Sequence, residues 1–459
     1  MPLTGKQRVL AAMENRPADR TPWVPFVGVH GGYILDLDAE TFLKSAEHLV
    51  AGVNKSIALY NPDGIPVCFD LQIEAEVLGC DLVWANEAPP AVSSHPLSAA
   101  GGKTLADLSV PTADQGRIAV ALEAARVLRE QHPDLALYGL ITGPFTLALH
   151  LMGTDIFMKM FDAVDEINDV MTFCTDVACA MADYYIDAGC DVVASVDPMT
   201  SQIGPAQFEQ FVTEHATRLF THIRTRQAKS SFFVCGNAVQ NLQAMCDTRP
   251  DNLSVDENIP LEQIRDITTP SGISFGGNLH LTTVLLLGTP EDAQRDALAC
   301  LDTAAGYDNF ILAPGCDLPY ATPAENLQAI AAVLDDKAIQ QALHETAAAH
   351  HDFDPRSLTN YFESEKVTVD IITLDSESCT PCQYMFEAVH AAAREFGDLV
   401  VVHEHKVKNH AGIAMMAALG VQNIPTTCID GEIKFVSRIP AKAKLVEAIR
   451  EQLDAKSLL

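Results

Sequence analysis

The chain lacks any long uninterrupted run of apolar residues. A membrane-spanning helix needs about 18 of them or more, and no segment of the 459 residues approaches that length. The opening stretch MPLTGKQRVLAAMENRPADR predicts an amphipathic helix with charges spread along it, whereas a signal peptide needs a continuous apolar core. We therefore expect a cytoplasmic protein that is neither exported nor inserted in a membrane.

Positive charge is also scarce. The sequence has 30 Lys and Arg against 61 Asp and Glu, which gives a formal net charge of −31. Such a surface repels phosphate backbones and anionic lipid headgroups. We therefore expect neither nucleic acid nor a membrane surface as a partner.

Cysteine is plentiful, with twelve residues, although no secretory signal accompanies it. Six cysteines on apolar segments are expected to be reduced, buried and inert: Cys80, Cys174, Cys179, Cys190, Cys246 and Cys300. Four others stand in contexts that suggest chemistry: Cys235, Cys316, Cys379 and Cys382.

The first three quarters of the chain alternates helical patterns with short apolar runs. The runs predict buried strands at 135–145, 190–198, 230–237, 252–257, 272–278 and 309–316. No G-x-G-x-x-G follows the early strands, which disfavours a doubly wound open sheet. We predict an α/β fold, a (β/α)8 TIM barrel over residues 1–345. Strand ends would then place five residues around one mouth: Asp197, Cys235, Asp256, His280 and Cys316.

A smaller unit is predicted for residues 366–459, after a linker at 346–365. Its pattern reads β-α-β-α-β-β-α, with Cys379-Thr-Pro-Cys382 at the first helix N-terminus. That position favours a thiolate at Cys379 and places Cys382 one turn on to resolve a mixed disulfide. The unit resembles thioredoxin-like domains, and Ile424-Pro425 matches their usually cis proline loop. A zinc half-site or a chance pair is the alternative.

Several motifs of the first unit occur in the order found in one superfamily. They are RVLAAMENRPADRTPWVPF, DLQIEAEVLG, ITGPFTLALHLMG, DAGCDVVASVDPMTSQIGPAQFEQFV, VCGN, FGGNLH and FILAPGCDLPYATPAEN. The unit thus resembles the uroporphyrinogen decarboxylase superfamily. Its decarboxylases hold a polycarboxylate with arginines, where this chain has Gly28 and Gly32 in GVHGG. Asp70 matches the family's catalytic aspartate, yet without the arginines the resemblance disfavours that activity.

The other branch of the superfamily contains cobalamin-dependent methyltransferases, and PGC and EAEVLG look like this branch. The resemblance implies zinc held by a His-x-Cys pair and a later cysteine. Cys235 and Cys316 match the cysteines, whereas Phe233 stands where the histidine belongs. His280 and Glu74 are therefore predicted as replacement zinc ligands. Four residues are expected to support the cofactor site: Asp197, Asn237, Asp256 and Asn278.

The resemblance implies a zinc-dependent methyltransferase acting between a corrinoid and a small thiol substrate. No corrinoid-binding Asp-x-His-x-x-Gly segment occurs, so a separate corrinoid protein is the expected partner. The residues expected to carry catalysis are Cys235, Cys316, Asp70, Glu74, Cys379 and Cys382. The dithiol unit would keep the barrel cysteines reduced, relay a disulfide, or accept a methyl group on Cys379.

Two other functions stay open on the sequence: a non-catalytic redox sensor or binding protein, and a metal-free decarboxylase that uses Asp70. The oligomeric state is also open, with a homodimer as one option.

Overall fold

The computed structural model describes residues 2–350, 361, 364, 366–374, 380–407, 410–421, 423–437, 439–456 and 458. The chain divides into two compact units, one ending at Gln340 and one beginning at Gln341. This division lies beside the predicted boundary at residue 345. Across the described ranges, no helix combines the length and apolarity that crossing a bilayer requires.

The first unit is built on a seven-stranded parallel sheet. Its strands and those of a small hairpin, β2–β3, are β1 (Gly64–Pro66), β2 (Leu82–Val83), β3 (Ala91–Val92), β4 (Ala136–Thr142), β5 (Val192–Val196), β6 (Lys229–Val234), β7 (Asn252–Val255), β8 (Ser274–Leu279) and β9 (Phe310–Pro314). The sheet order is β1-β4-β5-β6-β7-β8-β9, with every pair parallel. The six predicted strands are confirmed as β4 to β9.

Helices connect the strands, as parallel crossovers require. They are α1 (Gly5–Met13), α2 (His30–Tyr33), α3 (Ala39–Leu43), α4 (Ala46–Tyr60), α5 (Ile73–Val77), α6 (Gly116–Gln131), α7 (Pro144–Met152), α8 (Ile156–Asp162), α9 (Val164–Asp187), α10 (Pro205–Phe211), α11 (Thr213–Thr225), α12 (Leu242–Asp247), α13 (Leu261–Thr268), α14 (Pro290–Thr303), α15 (Ala324–Asp335) and α16 (Lys337–His350). The first five residues of the predicted linker continue α16, and most of the rest lie outside the described residues.

A short extended segment, residues 22–24, closes the cylinder between the two edge strands. Trp23 forms a parallel bridge with Leu312 of β9, and the Val24 N–H donates to the Leu312 carbonyl at 2.9 Å. On the other side, the Asp63 N–H donates to the Trp23 carbonyl at 2.8 Å, next to β1. The segment therefore occupies the eighth strand position, and the predicted (β/α)8 architecture is confirmed.

Alternate residues of each strand face two different apolar layers, as the two-residue period of a strand requires. In β4, Tyr138 and Leu140 belong to an inner cluster that also contains Phe26 and Phe233. Leu137 and the other alternate side chains pack with the helices in an outer cluster. Both faces of the sheet are thus buried, which explains why its strands read as continuous apolar runs.

The second unit has the element order that the sequence predicts. Its elements are β10 (Val367–Thr373), α17 (Thr380–Ala393), β11 (Val400–Lys406), α18 (His410–Ala418), β12 (Thr426–Ile429), β13 (Glu432–Val436) and α19 (Lys442–Ala455). The sheet order is β11-β10-β12-β13, with β10 and β11 parallel and the other pairs antiparallel. The thioredoxin-like topology is therefore confirmed.

The closing segment depends on Asp63, whose side chain is 1% exposed. Its carboxylate accepts the Trp23 N–H at 2.8 Å and pairs with Arg8 at 3.0 Å and Arg20 at 2.5 Å. We predict that Asp63→Ala lowers the free energy of unfolding of this unit by about 3 kcal/mol, because two cations lose a buried partner.

Urea denaturation followed by tryptophan fluorescence measures this effect, since both tryptophans, Trp23 and Trp84, lie in the first unit. Asp134→Ala, at an exposed position, is the matched control and should change stability by less than about 0.5 kcal/mol. Equal stability of the two variants would contradict the role given to Asp63.

Candidate active site

The polar residues at the carboxyl ends of five strands lie around one mouth of the barrel. Asp197 follows β5, Cys235 follows β6, Asp256 follows β7, His280 follows β8, and Cys316 comes two residues after β9. Because the strands are parallel and form a closed sheet, these ends meet at the same face. The structure therefore gathers residues that lie 119 positions apart at most (316 − 197 = 119).

Cys235 and Cys316 form the centre of this mouth, where they are joined by a disulfide bond with their Cα atoms 5.8 Å apart. Both side chains are half-buried and pack against the inner apolar cluster. Their strands, β6 and β9, are separated by β7 and β8, so the pair reaches across the curved sheet. Bonding between these cysteines is a consequence of barrel curvature.

Phe233 occupies the position where the resemblance places a histidine ligand. Its ring is fully buried and stacks against Phe26 with centroids 4.7 Å apart. The Phe69 and Phe233 rings meet edge to face, with their centroids 6.1 Å apart. This position next to the sulfur pair therefore contributes apolar packing and has no atom that could ligate a metal.

Each of the two predicted replacement ligands is hydrogen-bonded to a neighbouring residue. His280 Nδ1 lies 2.8 Å from Asp296 Oδ1, and the His280 N–H donates to Asp296 Oδ2 at 2.9 Å. The Glu74 carboxylate accepts the Thr142 N–H at 2.9 Å and the Thr142 hydroxyl at 2.8 Å.

The described part of the chain contains no group of three His, Cys, Asp or Glu placed to hold a metal ion. Catalytic zinc needs three protein ligands. The predicted set of Cys235, Cys316, His280 and Glu74 is therefore not assembled, and the residues present do not fit zinc.

Asp197 shapes the mouth through the backbone. Its buried carboxylate accepts the Phe145 N–H at 3.2 Å, the Thr146 N–H at 2.8 Å and the Thr146 hydroxyl at 2.6 Å, at the start of α7. Burial raises the pKa of Asp197 to about 6. The residue fixes the first turn of the helix that follows β4.

Asp256 and Asn278 hold the neighbouring loops. Asp256 accepts the Gly236 N–H at 2.7 Å, directly after Cys235. The Asn278 amide donates to the Asp256 carbonyl at 3.1 Å and to the Ile259 carbonyl at 2.6 Å. Asn237, by contrast, is exposed, and its side-chain oxygen accepts the Val239 N–H at 3.3 Å. Asp256 and Asn278 thus position the chain around the sulfur pair.

Asp70 is neutralised by an ion pair with Arg117 of α6. Arg117 also pairs with Glu76 at 2.6 Å and stacks on the ring of Trp84, 4.9 Å from its centroid. Burial raises the pKa of Asp70, although Arg117 opposes that shift. No pattern in the sequence pointed to Arg117, since the pair spans 47 positions and only the fold brings it together.

The two glycines that replace the family arginines lie where a side chain has no room. A Cβ at Gly28 would overlap the carboxylate of Asp317. A Cβ at Gly32 would come within 3.0 Å of the Leu37 carbonyl and the Phe42 side chain. An acid, Asp317, therefore occupies the space beside Gly28. Burial raises the pKa of Asp317 well above its usual range.

Glu257 is an acid at the mouth that the sequence reasoning missed as a functional residue. Its Oε2 accepts the Leu281 N–H at 3.0 Å, and a Cβ on Gly315 would lie 3.1 Å from that oxygen. Gly315 precedes Cys316, so Glu257 is close to the sulfur pair. Burial raises its pKa to about 7. The sequence signal that could have indicated Glu257 is its position next to Asp256, just after the end of β7.

The dithiol of the second unit is only partly described. Cys382 is fully buried and disulfide-bonded, whereas Cys379 lies outside the described residues. The Ile424–Pro425 peptide bond is cis. The expected proline geometry is therefore present in this unit.

These features define a class: an α/β-barrel protein with a sulfur pair at the barrel mouth, followed by a thioredoxin-like unit. The chain belongs to the uroporphyrinogen decarboxylase (URO-D) family, whose profile matches residues 4–336. A thioredoxin-domain profile matches residues 367–450.

Relatives within this family carry two kinds of name. Methylcobamide:CoM methyltransferase MtbA of Methanosarcina mazei is 30% identical over 348 residues, covering 71% of this chain and 96% of that protein. Uroporphyrinogen decarboxylase of Geobacter sulfurreducens is 25% identical over 337 residues, covering 70% and 95%. A solved structure of a methyltransferase from Methanosarcina mazei has a TM-score of 0.67 and 26% identity, covering 72% of this chain and 98% of its own.

The raised pKa of Asp197 predicts a pH-dependent difference in stability. The native state holds this proton more tightly than the unfolded chain, whose aspartates titrate near pH 3.9. The stability contributed by protonated Asp197 is therefore lost as pH rises through about 6. Asp197→Asn should gain about 1 kcal/mol relative to the unmodified protein between pH 5 and pH 7.

Urea denaturation at several pH values, followed by tryptophan fluorescence, measures this difference. Any cost of the amide from disturbing the Phe145 and Thr146 hydrogen bonds is the same at every pH, so the trend with pH is the readout. Asp134→Asn at an exposed site is the control. A difference for Asp197→Asn that stays flat with pH would refute this prediction.

Proposed function

We propose that this protein is a methyltransferase that moves a methyl group between a corrinoid on a separate protein and a small thiol. The observation that carries the proposal is the meeting of Cys235 and Cys316 at the barrel mouth. Relatives named methylcobamide:CoM methyltransferases match almost their whole length to the first unit. No corrinoid-binding motif was found in the sequence, which favours a partner protein as the carrier.

The decarboxylase alternative has less support. Binding of a polycarboxylate needs cations at the mouth, but Gly28 faces the half-buried acid Asp317. Arg117 already pairs with the carboxylate of Asp70, so its positive charge is partly neutralised by the protein itself. A net charge of −31 adds long-range repulsion of such a substrate.

Methyl transfer to a thiol requires the thiolate as nucleophile, and a free thiol has a pKa of about 8.5. The zinc that the resemblance implies would remove the proton, but the ligand set is incomplete, and we derive no step through it. Glu257 is the acid beside Gly315, and its pKa of about 7 suits a general base. We propose that Glu257 Oε2 accepts the thiol proton.

The remaining chemistry is a displacement at carbon. The thiolate sulfur forms a bond to the methyl carbon, and the carbon–cobalt bond of the corrinoid substrate breaks with its electron pair leaving on the corrinoid. The inner apolar cluster contains Phe233 and Phe26 and packs against the sulfur pair, so it limits water at the reacting groups. Desolvation strengthens a thiolate nucleophile. The reverse direction uses the same groups.

The second unit is proposed to be a dithiol redox unit. Its topology, the cis Ile424–Pro425 bond and the Cys379-x-x-Cys382 sequence support this assignment. In this proposal it serves the thiol chemistry of the barrel and is not itself the methyl acceptor.

Replacement of either barrel cysteine should abolish most of the activity. We predict that Cys235→Ser and Cys316→Ser, assayed anaerobically after reduction, lower the rate of methylcobalamin demethylation by coenzyme M by about 100-fold or more. Cys179→Ser, at a buried position of α9, is the control and should keep the activity.

Elemental analysis of the same samples tests the metal conclusion. We expect well below one zinc per chain in the unmodified protein, because only two ligands converge. One zinc per chain, lost in both Cys→Ser variants, would refute that conclusion while leaving methyl transfer standing. Full activity of both variants would refute the role given to the sulfur pair in methyl transfer.

Removal of the proposed base should slow the chemical step. We predict that Glu257→Gln lowers kcat for methyl transfer by about 100-fold, because the amide keeps the hydrogen bond to Leu281 but accepts no proton. Glu291→Gln, at an exposed position of α14, is the matched control. An unchanged kcat for Glu257→Gln would remove Glu257 from the mechanism.

A further inference from the structure

The barrel mouth contains a disulfide in a protein whose other described barrel cysteines are single buried thiols. Seven free cysteines of the first unit are buried: Cys68, Cys80, Cys174, Cys179, Cys190, Cys246 and Cys300. Burial raises the pKa of each of them, so they are poor nucleophiles. Cys235 and Cys316 differ because they are half-buried at the open end of the barrel and bonded to each other.

The backbone holds the two cysteines in place independently of the bond between them. The Gly236 N–H, directly after Cys235, donates to Asp256 at 2.7 Å. The Gly315 N–H, directly before Cys316, donates to the Leu279 carbonyl at 3.0 Å. The Cα separation of 5.8 Å lies within the usual range for disulfides. The pair can therefore open and close again without rearrangement of the barrel.

The surroundings of the pair also favour sulfur–sulfur chemistry over metal binding. Phe233 fills the position of the third ligand with an apolar ring. His280 is held by Asp296, and no third ligand from the described residues joins the two sulfurs. Two half-buried sulfurs without a metal are free to exchange with another thiol.

We propose that Cys235 and Cys316 form a thiol–disulfide exchange site, and that its reductant is a protein dithiol of the Cys-x-x-Cys class. This chain supplies such a dithiol in Cys379 and Cys382, which can act on its own barrel or on that of another copy. The inference rests on the proposed function only in assigning methyl transfer to the reduced form of the pair. The substrate of the C-terminal dithiol is then the Cys235–Cys316 disulfide.

The exchange starts from the reduced form of the Cys-x-x-Cys pair, and from that state it balances without any other reactant. The Cys379 thiolate attacks one sulfur of the barrel disulfide, the Cys235–Cys316 bond breaks, and the released thiolate takes up a proton. The Cys382 thiol then loses its proton and displaces the barrel sulfur from the mixed disulfide. The displaced barrel sulfur takes up the proton that Cys382 loses, two electrons pass to the barrel pair, and the Cys-x-x-Cys pair becomes a disulfide.

Trapping the mixed disulfide in the full-length protein tests the proposal. Cys382→Ser removes the resolving thiol, so Cys379 should remain bonded to Cys235 or Cys316, and Cys382→Ala is a second variant in case serine disturbs this buried site. Diamide first oxidises the barrel pair. A limiting amount of dithiothreitol then reduces Cys379 to its free thiol. Blocking of free thiols with iodoacetamide and peptide mass spectrometry identify the linked peptides.

We expect a peptide linking Cys379 to Cys235 or Cys316 in more than half of the chains, and its absence when Cys382→Ser is combined with Cys235→Ser and Cys316→Ser. An intact barrel disulfide beside an unreacted Cys379 would overturn the proposal. Free Cys235 and Cys316 after diamide treatment, or zinc bound to both, would overturn it as well.

The methylcobalamin assay separates this inference from the proposed function. A trapped mixed disulfide in a protein that demethylates no methylcobalamin after reduction would refute methyl transfer and leave the exchange site standing. Methyl transfer that is equally fast before and after reduction of the barrel pair would refute the dependence on the reduced form.

Discussion

The closure of the parallel sheet is the constraint on which the rest of the first unit depends. Residues 22–24 contribute hydrogen bonds to both edge strands, and the buried carboxylate of Asp63 holds Trp23 in that position. With the ring closed, β6 and β9 curve toward each other although two strands lie between them. Cys235 and Cys316 meet for that reason, and every chemical proposal for the protein begins with this meeting.

The mouth combines an apolar floor with an acidic rim. Phe26, Phe69 and Phe233 pack beneath the sulfur pair, while Glu257 and Asp317 are acids whose pKa values are raised by burial. Neither acid supplies the positive charge that a polyanionic substrate needs, and an apolar floor favours chemistry at sulfur and carbon. The site is thus suited to a thiol that loses a proton to a nearby carboxylate.

The two units contain related sulfur chemistry in different settings. In the second unit, two cysteines lie within one helical turn in the sequence, as in a thioredoxin-like dithiol. In the barrel, they lie 81 positions apart and meet only at the mouth. A dithiol of the first kind is a suitable reductant for a disulfide of the second kind, which gives the fusion of the two units a chemical purpose.

Local patterns in the sequence were sufficient for the element order. The apolar runs that form β4 to β9 have both faces buried, and such strands are apolar at nearly every position. Their length and the turn residues on either side therefore identify them. The order of the second unit followed from the same signals. The position of Cys235 and Cys316 at strand ends followed from the parallel topology, because carboxyl ends of parallel strands share one face.

The sequence could not determine which side chains are already satisfied. His280 and Glu74 were predicted as zinc ligands, but Asp296 and Thr142 hold them, and both partners come from other elements. The same limit applied to Asp70, whose partner Arg117 lies on α6, and to the position of Glu257 beside Gly315. Element types and strand-end residues depend on local order and were therefore readable in the sequence, whereas hydrogen-bond partners, burial and the pairing of distant sulfurs depend on distances that only the folded chain sets.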